Sequence, residues 1–420
     1  MSILRAYKFR IYPNQEQCNR FAQAFGAARW IYNHFLHENK TRYENGEKHL
    51  SGFDCNKIIT QYKKEPETAW LREVDDWVLK NSSSNLDQAF KNFFNSVTGK
   101  RKGPKVSYPK FKKRGYSDSF RTTCKIDFEN NLVKIPKISA IKCIYDREIK
   151  GKVKSATISK QSSGKYFVSI LVEEDQKLLP MSGLEVGIDL GLKDLIILDD
   201  GTKFCHPDEI PGFAKAKRNL KKQQRKLART VKGSKNRDRQ RIKVAKAYEK
   251  LTNIKKDYYH NLSRWLVNSF DAIYLENLNV KGMMKNHCLA RKIQEAAWSS
   301  LVSMIGYKAG WAGKTFHQIA RFVPSSKTCS CCGYKKQNLT LGDRFWDCPG
   351  CGTSLDRDIN AALNIRNFGQ LDCYGQVIPS VATTEEGIIP MGLQKFAVKI
   401  ERSDCSTSRL AKGATKPKNL

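Results

Sequence analysis

Leu184-Glu-Val-Gly-Ile-Asp189-Leu-Gly191-Leu-Lys-Asp194 is the stretch whose reading decides the fold. It starts as an apolar strand, carries one carboxylate near its end, and breaks at a glycine turn. An acid facing a buried sheet is costly unless it is paired or binds a cation. Downstream, Ile273-Tyr-Leu-Glu276-Asn277 repeats the pattern of an apolar strand ending in an acid. Asp356-Arg357-Asp358-Ile-Asn360-Ala-Ala362 places a third acid at the start of a short helix. Any one of these is explicable as a cap or a strand-edge charge. Together they supply the hard oxygen ligands of a two-magnesium phosphodiesterase site, whose ions sit ~3.5–4 Å apart. Asp189, Glu276 and Asp358 are therefore the candidate catalytic and Mg²⁺-binding residues. The nearby acids Asp194, Asp199, Asp200 and Asp356 read as turn or cap residues.

Between the second and third acids lies Cys329-Ser-Cys-Cys332-Gly333, followed by Cys348-Pro-Gly-Cys351-Gly352. The spacing C-x2-C-x15-C-x2-C is that of a four-thiolate zinc ribbon, with each tight turn presenting two sulfurs and a glycine closing it at positive φ. Cys329, Cys332, Cys348 and Cys351 are assigned as ligands, with Cys331 surplus. Such a closed site is structural and performs no hydrolysis.

Working outward, 184–205 reads as three short strands and 212–270 as a long basic helical pair. Next come a strand at Ala272–Glu276, helices over about 290–312, a strand at Thr315–Phe322 and a short helix at 358–367. On the N-terminal side, Leu4 to Tyr12 alternates as a strand, with Arg5, Tyr7, Phe9 and Ile11 on one face. Pro13 ends it, and Asn14 caps a helix to about His37 whose stripe is Phe21, Ala24, Phe25, Ala28 and Tyr32. Helices are expected at roughly 54–64 and 75–98. From Phe120 to Glu174, short alternating segments predict an antiparallel β unit, barrel or sandwich, which the opening strand joins.

Seventy-five Lys and Arg against 41 Asp and Glu leave a net charge of +34 across 420 residues. A compact body so charged repels itself and expects a polyanionic partner, although merely RNA-coating proteins are equally basic. The segment 212–256 holds eighteen of these cations against only Asp238 and Glu249. Lys221, Lys222, Arg225 and Arg229 are placed there against nucleic-acid backbone, read by charge and not by base edges. Tyr108-Pro-Lys110-Phe-Lys112-Lys113-Arg114 interleaves aromatics with cations, a pattern suited to phosphate contact and stacking on unpaired bases. On the 75–98 helix, Lys80, Asn81 and Ser84 are assigned to a DNA contact. No stretch reaches the ~18 apolar residues of a membrane span, and the first ten residues lack a signal-peptide core. The expected location is the cytoplasm, with nucleoid association. Thirteen cysteines in a reducing compartment argue for a metal site plus buried thiols.

These motifs resemble TnpB, the transposon-encoded nuclease family of prokaryotic insertion sequences, thought ancestral to type V CRISPR effectors. Besides the acids and the ribbon, the match includes Tyr7-Lys-Phe-Arg-Ile-Tyr-Pro13, Gly26-Ala-Ala-Arg29-Trp-Ile-Tyr-Asn33, Ala89-Phe90-Lys-Asn-Phe-Phe94 and Leu275-Glu276-Asn277-Leu278. It spans roughly residues 1–368.

The resemblance implies a multidomain α/β plus β protein: an RNase H-like (RuvC-type) nuclease core with an inserted zinc ribbon, and an N-terminal β-barrel-like wedge unit interrupted by a helical recognition bundle. Residues 1–12 and 119–182 would form the wedge, 13–118 the recognition domain, 183–325 the core, 326–352 the ribbon and 353–370 the last core helix. Residues 371–420 would be a disordered tail. The resemblance further implies an RNA-guided, Mg²⁺-dependent DNA endonuclease, cutting both strands beside a short adjacent motif. Its partners would be one noncoding guide RNA from the transposon end, bound by a monomer, and target double-stranded DNA. Two other readings stand beside it: a nuclease-silent guided regulator, and a transposase that transfers strands with the same carboxylates.

Overall fold

The computed structural model describes residues 2–115, 118–340 and 342–375. The chain divides into two compact units, residues up to 177 with 218–250, and residues 178–217 with those from 251 onward.

The first unit begins with β1 (Ser2–Tyr12) and α1 (Gln15–Glu44). Buried and exposed residues alternate along β1 with Tyr7, Phe9 and Ile11 inward, as the sequence pattern requires. The Asn14 side chain accepts from the Gln17 amide while Gln17 reaches back to the Asn14 amide, a reciprocal cap that fixes the start of α1. The helix runs seven residues past the expected His37. Two shorter helices follow, α2 (Gly52–Tyr62) and α3 (Asp76–Val97). After them come β2 (Asp118–Thr122), β3 (Lys125–Asp127), β4 (Leu132–Ile135), β5 (Ile138–Ile144), β6 (Lys152–Lys160) and β7 (Tyr166–Asp175). With β1 they form one antiparallel sheet of order β2-β6-β7-β1-β5-β4-β3. The opening strand thus sits in the middle of a single sheet. The ladder is open at β2 and β3, so among the described residues it is neither a sandwich nor a barrel closed by hydrogen bonds. Phe21, Phe25 and Ile31 of α1 pack with Phe9, Phe120, Ile158 and Val168 of the sheet in one continuous core.

The second unit carries β8 (Glu185–Asp189), β9 (Asp194–Leu198) and β10 (Lys203–Cys205). Two long helices, α4 (Phe213–Ala228) and α5 (Lys235–Ser269), follow, and the boundary between units falls within each. Then come β11 (Ala272–Leu275), α6 (Val280–Met283), α7 (His287–Ala296), α8 (Trp298–Ala312), β12 (Thr315–Gln318), β13 (Phe345–Asp347), β14 (Ser354–Asp356) and α9 (Arg357–Tyr374). A five-stranded sheet has the order β10-β9-β8-β11-β12. Its β8–β9 and β9–β10 pairs are antiparallel, and β8–β11 and β11–β12 are parallel. All of β11 is buried because both faces are covered. Ile273 and Leu275 join Leu262, Leu266, Leu301 and Ile305, while Ala272 and Tyr274 join Ile365 of α9.

Two expectations fail here. The strand drawn as Thr315–Phe322 stops at Gln318, and Phe322 lies in a loop at φ +82°, outside the extended region. The tail expected from residue 371 instead begins as helix. Polar anchors that leave no apolar period hold it there: Asp372 meets His317 at 3.0 Å, the Tyr374 hydroxyl donates to Glu185 at 3.5 Å, and Gly375 ends α9 at φ +71°. The remainder of that stretch, from residue 376, lies outside the described residues.

Candidate carboxylate and metal centre

Two glycines bring α9 down onto the sheet. A Cβ on Gly187 would lie 2.0 Å from the Ala362 carbonyl oxygen, and one on Gly369 would lie 2.1 Å from the Tyr274 ring. The first contact fixes α9 against β8 two residues before Asp189, and the second fixes it against β11 two residues before Glu276. Further polar contacts tighten this seam. Arg366 pairs with Asp199 at 2.6 Å, and Gln370 Nε2 donates to Glu185 at 2.7 Å. Asp199 is thus both a residue of the turn after β9, as expected, and a partner in a buried ion pair. Asp356 does cap α9, accepting from the Asp358 and Ile359 amides at 2.9 and 3.1 Å.

Asp189 ends β8, Glu276 directly follows β11, and Asp358 lies in the first turn of α9, each partly buried. Because β8 and β11 are parallel neighbours, their C-terminal ends, and hence the first two acids, fall together. The Leu190 amide donates to Glu276 Oε1 at 3.2 Å, which fixes that side chain. Burial, the Glu276 charge, a hydrogen bond to Glu276 and the Asp358 charge push the Asp189 carboxyl well above the ordinary range, with Arg357 opposing. Glu276 is also raised by burial, though hydrogen bonds from Asp189 and the Leu190 amide counter it. Both carboxyls are thus pushed upward, and the two side chains lie within reach of one another. Asp358 is near enough to repel Asp189, but its Oδ2 accepts from Arg344 at 3.0 Å. Asp189 and Glu276 meet and the Asp358 charge reaches Asp189, although among the described residues only the cysteines draw three or more ligand atoms into one tight group. The all-oxygen donors of the three acids are of the kind Mg²⁺ takes.

The four expected cysteines converge, with one Sγ from each lying within 4.8 Å of all the others. Cys329 and Cys351 Sγ are 3.7 Å apart, and Cys332 and Cys348 Sγ 3.5 Å. A tetrahedron of ~2.3 Å zinc–sulfur bonds has edges of about 3.8 Å, so the cradle fits that ion. Gly333 and Gly352 take φ of +77° and +72°, and Cys331 is exposed outside the cluster. Sequence reasoning missed what ties this ribbon to α9. Asn360 Nδ2 donates to the Thr328 carbonyl at 2.8 Å and its Oδ1 accepts from the Ser330 amide at 2.9 Å. Asn364 donates to the Ser325 and Thr328 carbonyls at 2.7 and 2.6 Å. Two buried asparagines, one just past Asp358, thus clamp the first knuckle. Arg344 was missed as well; it lies in the long inter-knuckle segment, where sequence gives no sign of its partner.

The nucleic-acid candidates lie on the surface of the first unit. Lys80 and Ser84 are exposed on α3, whereas Asn81 turns back to the Trp77 carbonyl at 2.7 Å. Lys110, Lys113 and Arg114 are exposed. Lys112 is exposed as well; its ammonium lies 4.1 Å from the centre of the Tyr32 ring and its backbone pairs with Asn33. Lys221, Lys222, Arg225 and Arg229 line one open groove on α4 with Arg218 and Lys226.

Comparison with known proteins now defines the class. The architecture matches the Cas12f1 chain of a cryo-EM Cas12f1–sgRNA–target DNA complex with a TM-score of 0.53, covering 87% of this chain and 98% of that one. At 13% identity that likeness concerns the fold alone. Residues 168–287 match the model OrfB_IS605, described as a probable transposase; residues 298–365 match a Cas12f1-like TNB domain. Residues 1–48 match a model described as a helix-turn-helix domain, although they hold a strand and one long helix here. A Streptomyces pristinaespiralis protein named "Putative RNA-guided DNA endonuclease" is 35% identical, over 87% of this chain and 90% of its own length. Escherichia coli K12 InsQ, named likewise, is 30% identical over 90% and 96%. The chain belongs to the TnpB family, the OrfB proteins of IS605-type elements.

Proposed function

We propose that this protein is an RNA-guided, Mg²⁺-dependent DNA endonuclease that hydrolyses phosphodiester bonds at Asp189, Glu276 and Asp358. The observation that carries the reading is the contact between Asp189 and Glu276 at adjacent strand ends, with Asp358 close enough to act on the same space. The five-stranded sheet, with acids at two strand ends and a helix start, supports an RNase H-like (RuvC-type) core. The relatives' names support guide RNA and target DNA as partners.

In this reading Asp189, Glu276 and Asp358 would hold the two Mg²⁺ ions. When bound, the ions supply activation of a water and stabilisation of the leaving 3′-oxygen. The chain's own groups prepare the space. The Leu190 amide orients Glu276, Arg344 restrains Asp358, and the seam at Gly187 and Gly369 fixes α9. Cys329, Cys332, Cys348 and Cys351 would hold a single zinc ion, which would stabilise the ribbon that Asn360 and Asn364 bind to that helix. Lys221, Lys222, Arg225 and Arg229 contact the phosphate backbone of the guide–target duplex, with selectivity left to base pairing. Lys110, Lys112, Lys113 and Arg114 contact RNA, and Lys80 and Ser84 face the adjacent-motif DNA.

The test is purified protein with its co-purifying RNA, incubated with plasmid and Mg²⁺. Linear product that needs both a guide match and Mg²⁺ supports the reading. Binding without cutting marks a silent regulator, and joined strands without a guide mark a transposase.

A further inference from the structure

The same dipeptide occurs twice beside the carboxylates. Arg321 Nη2 donates to Asn277 Oδ1 at 3.4 Å, next to Glu276, and the following residue, Phe322, is 93% exposed. Arg344 Nη1 binds Asp358 at 3.0 Å, and the following Phe345 is 70% exposed on β13. In each pair the arginine is fixed to a residue of the acid cluster or its neighbour, while the ring faces solvent. The Phe322 loop is strapped to the end of β11. The Ile319 amide donates to the Leu275 carbonyl at 2.9 Å, and Gln318 Nε2 donates to the Glu276 carbonyl at 3.3 Å.

Phe322 is also held at φ +82°, which a bulky L-residue adopts only at an energetic cost. A ring so exposed gains no burial in return. Stability therefore does not select Phe at this position, where glycine would sit without strain. An aromatic ring offers a sequence-tolerant surface on which any base can stack, which suits a protein whose partner is nucleic acid.

We propose that Phe322 and Phe345 are stacking platforms for unpaired bases of the DNA strand entering the acid cluster, one from the Glu276 side and one from the Asp358 side. Arg321 anchors one platform to Asn277, beside Glu276, and Arg344 anchors the other to Asp358, so base position is set relative to the phosphate to be cut. This rests on the nuclease reading. Both phenylalanines act as positioning residues.

Two readouts test it with the intact protein–RNA complex. First, cleavage of guide-matched plasmid is timed at saturating protein for Phe322→Ala, Phe345→Ala, Phe322→Gly and Phe322→Trp. Stacking of ~1–3 kcal/mol per base converts to about 5- to 150-fold slower cutting for each alanine variant. Phe322→Trp should stay within about threefold of wild type on the same scale. Phe322→Gly should cut slowly yet melt no lower than wild type, an outcome a structural role does not give. Second, a single-stranded oligonucleotide carrying 2-aminopurine should be quenched on binding wild type and brighter with Phe322→Ala or Phe345→Ala, whether or not cutting occurs.

Alanine variants that cut at the wild-type rate, or 2-aminopurine signals equal to wild type, would overturn the proposal and leave the nuclease reading intact. A changed solution mass in the Phe322→Ala/Phe345→Ala protein would also overturn it, marking a contact between copies. If wild type quenches the probe but cuts nothing, the nuclease reading fails instead.

Discussion

Asp189 occupies an expensive position. It is an acid at the end of a largely buried strand, beside a second acid and near a third, and burial and the Glu276 charge push its carboxyl well above the ordinary range. Replacing it with alanine removes one hard oxygen ligand and touches none of the basic surface. We expect Asp189→Ala to slow guide-matched cleavage by at least about 10³-fold, equivalent to ~4 kcal/mol, while RNA binding measured by filter retention stays within about twofold. Retained cutting would mean that the nucleophile is prepared elsewhere. At this scale the sequence was informative where a side chain violated its surroundings. An acid in an apolar strand and cysteines at ribbon spacing both stand out without coordinates. Arg344, Asn360 and Asn364 do not, because an arginine in a long loop and asparagines in a helix are unremarkable until folding brings their partners from far along the chain. Lys112 shows what a basic run leaves unsaid: only the fold places Tyr32 beneath its ammonium.

α9 is the element on which the centre depends, since it carries Asp358, clamps the ribbon and packs on both central strands. Its closeness to β8 rests on a missing side chain. Gly187→Ala places a methyl 2.0 Å from a backbone oxygen that cannot rotate away, so the helix must move. We expect a loss of about 1–3 kcal/mol, seen as a lower melting temperature, together with slower cutting from a displaced Asp358. An unchanged melt would show that the seam is looser than the structure describes. The ribbon should fail differently. Cys348→Ser removes one of four thiolates, and metal analysis should find zinc well below one equivalent; full zinc content would contradict the ligand assignment. Element ends were the least legible feature. Periodicity marked a strand through Phe322 and a helix end near 367, but loop strapping ended the first early and polar anchors extended the second. That the opening stretch is a strand followed from its alternation; its partners β5 and β7 did not. That the sheet is open depends on what β2 and β3 pair with, and no local pattern encodes it.

Across the whole molecule a net charge of +34 dominates, and its densest concentration is on the two long helices. Among the described residues, few of those cations are neutralised internally; Lys217 with Asp208 and Glu295 is the clearest case. If the groove on α4 tracks a phosphate backbone, replacing Lys221, Lys222, Arg225 and Arg229 together by glutamine should flatten the dependence of log affinity on log salt by about 3, near 0.7–0.9 per lost contact. Equal slopes for variant and wild type would place the nucleic acid on another surface. No helix among the described residues is long and apolar enough to cross a membrane. Composition made the polyanionic partner legible, but it carried no information on the guide, which enters through family likeness alone. The most direct measurement is a diffraction experiment on crystals soaked in Mn²⁺, with anomalous difference maps recorded at the manganese edge. Two peaks bridged by the Asp189 and Glu276 carboxylates, with Asp358 completing the shell of one, are the expected result. Crystals that show zinc in the ribbon but no manganese among these three acids would contradict it.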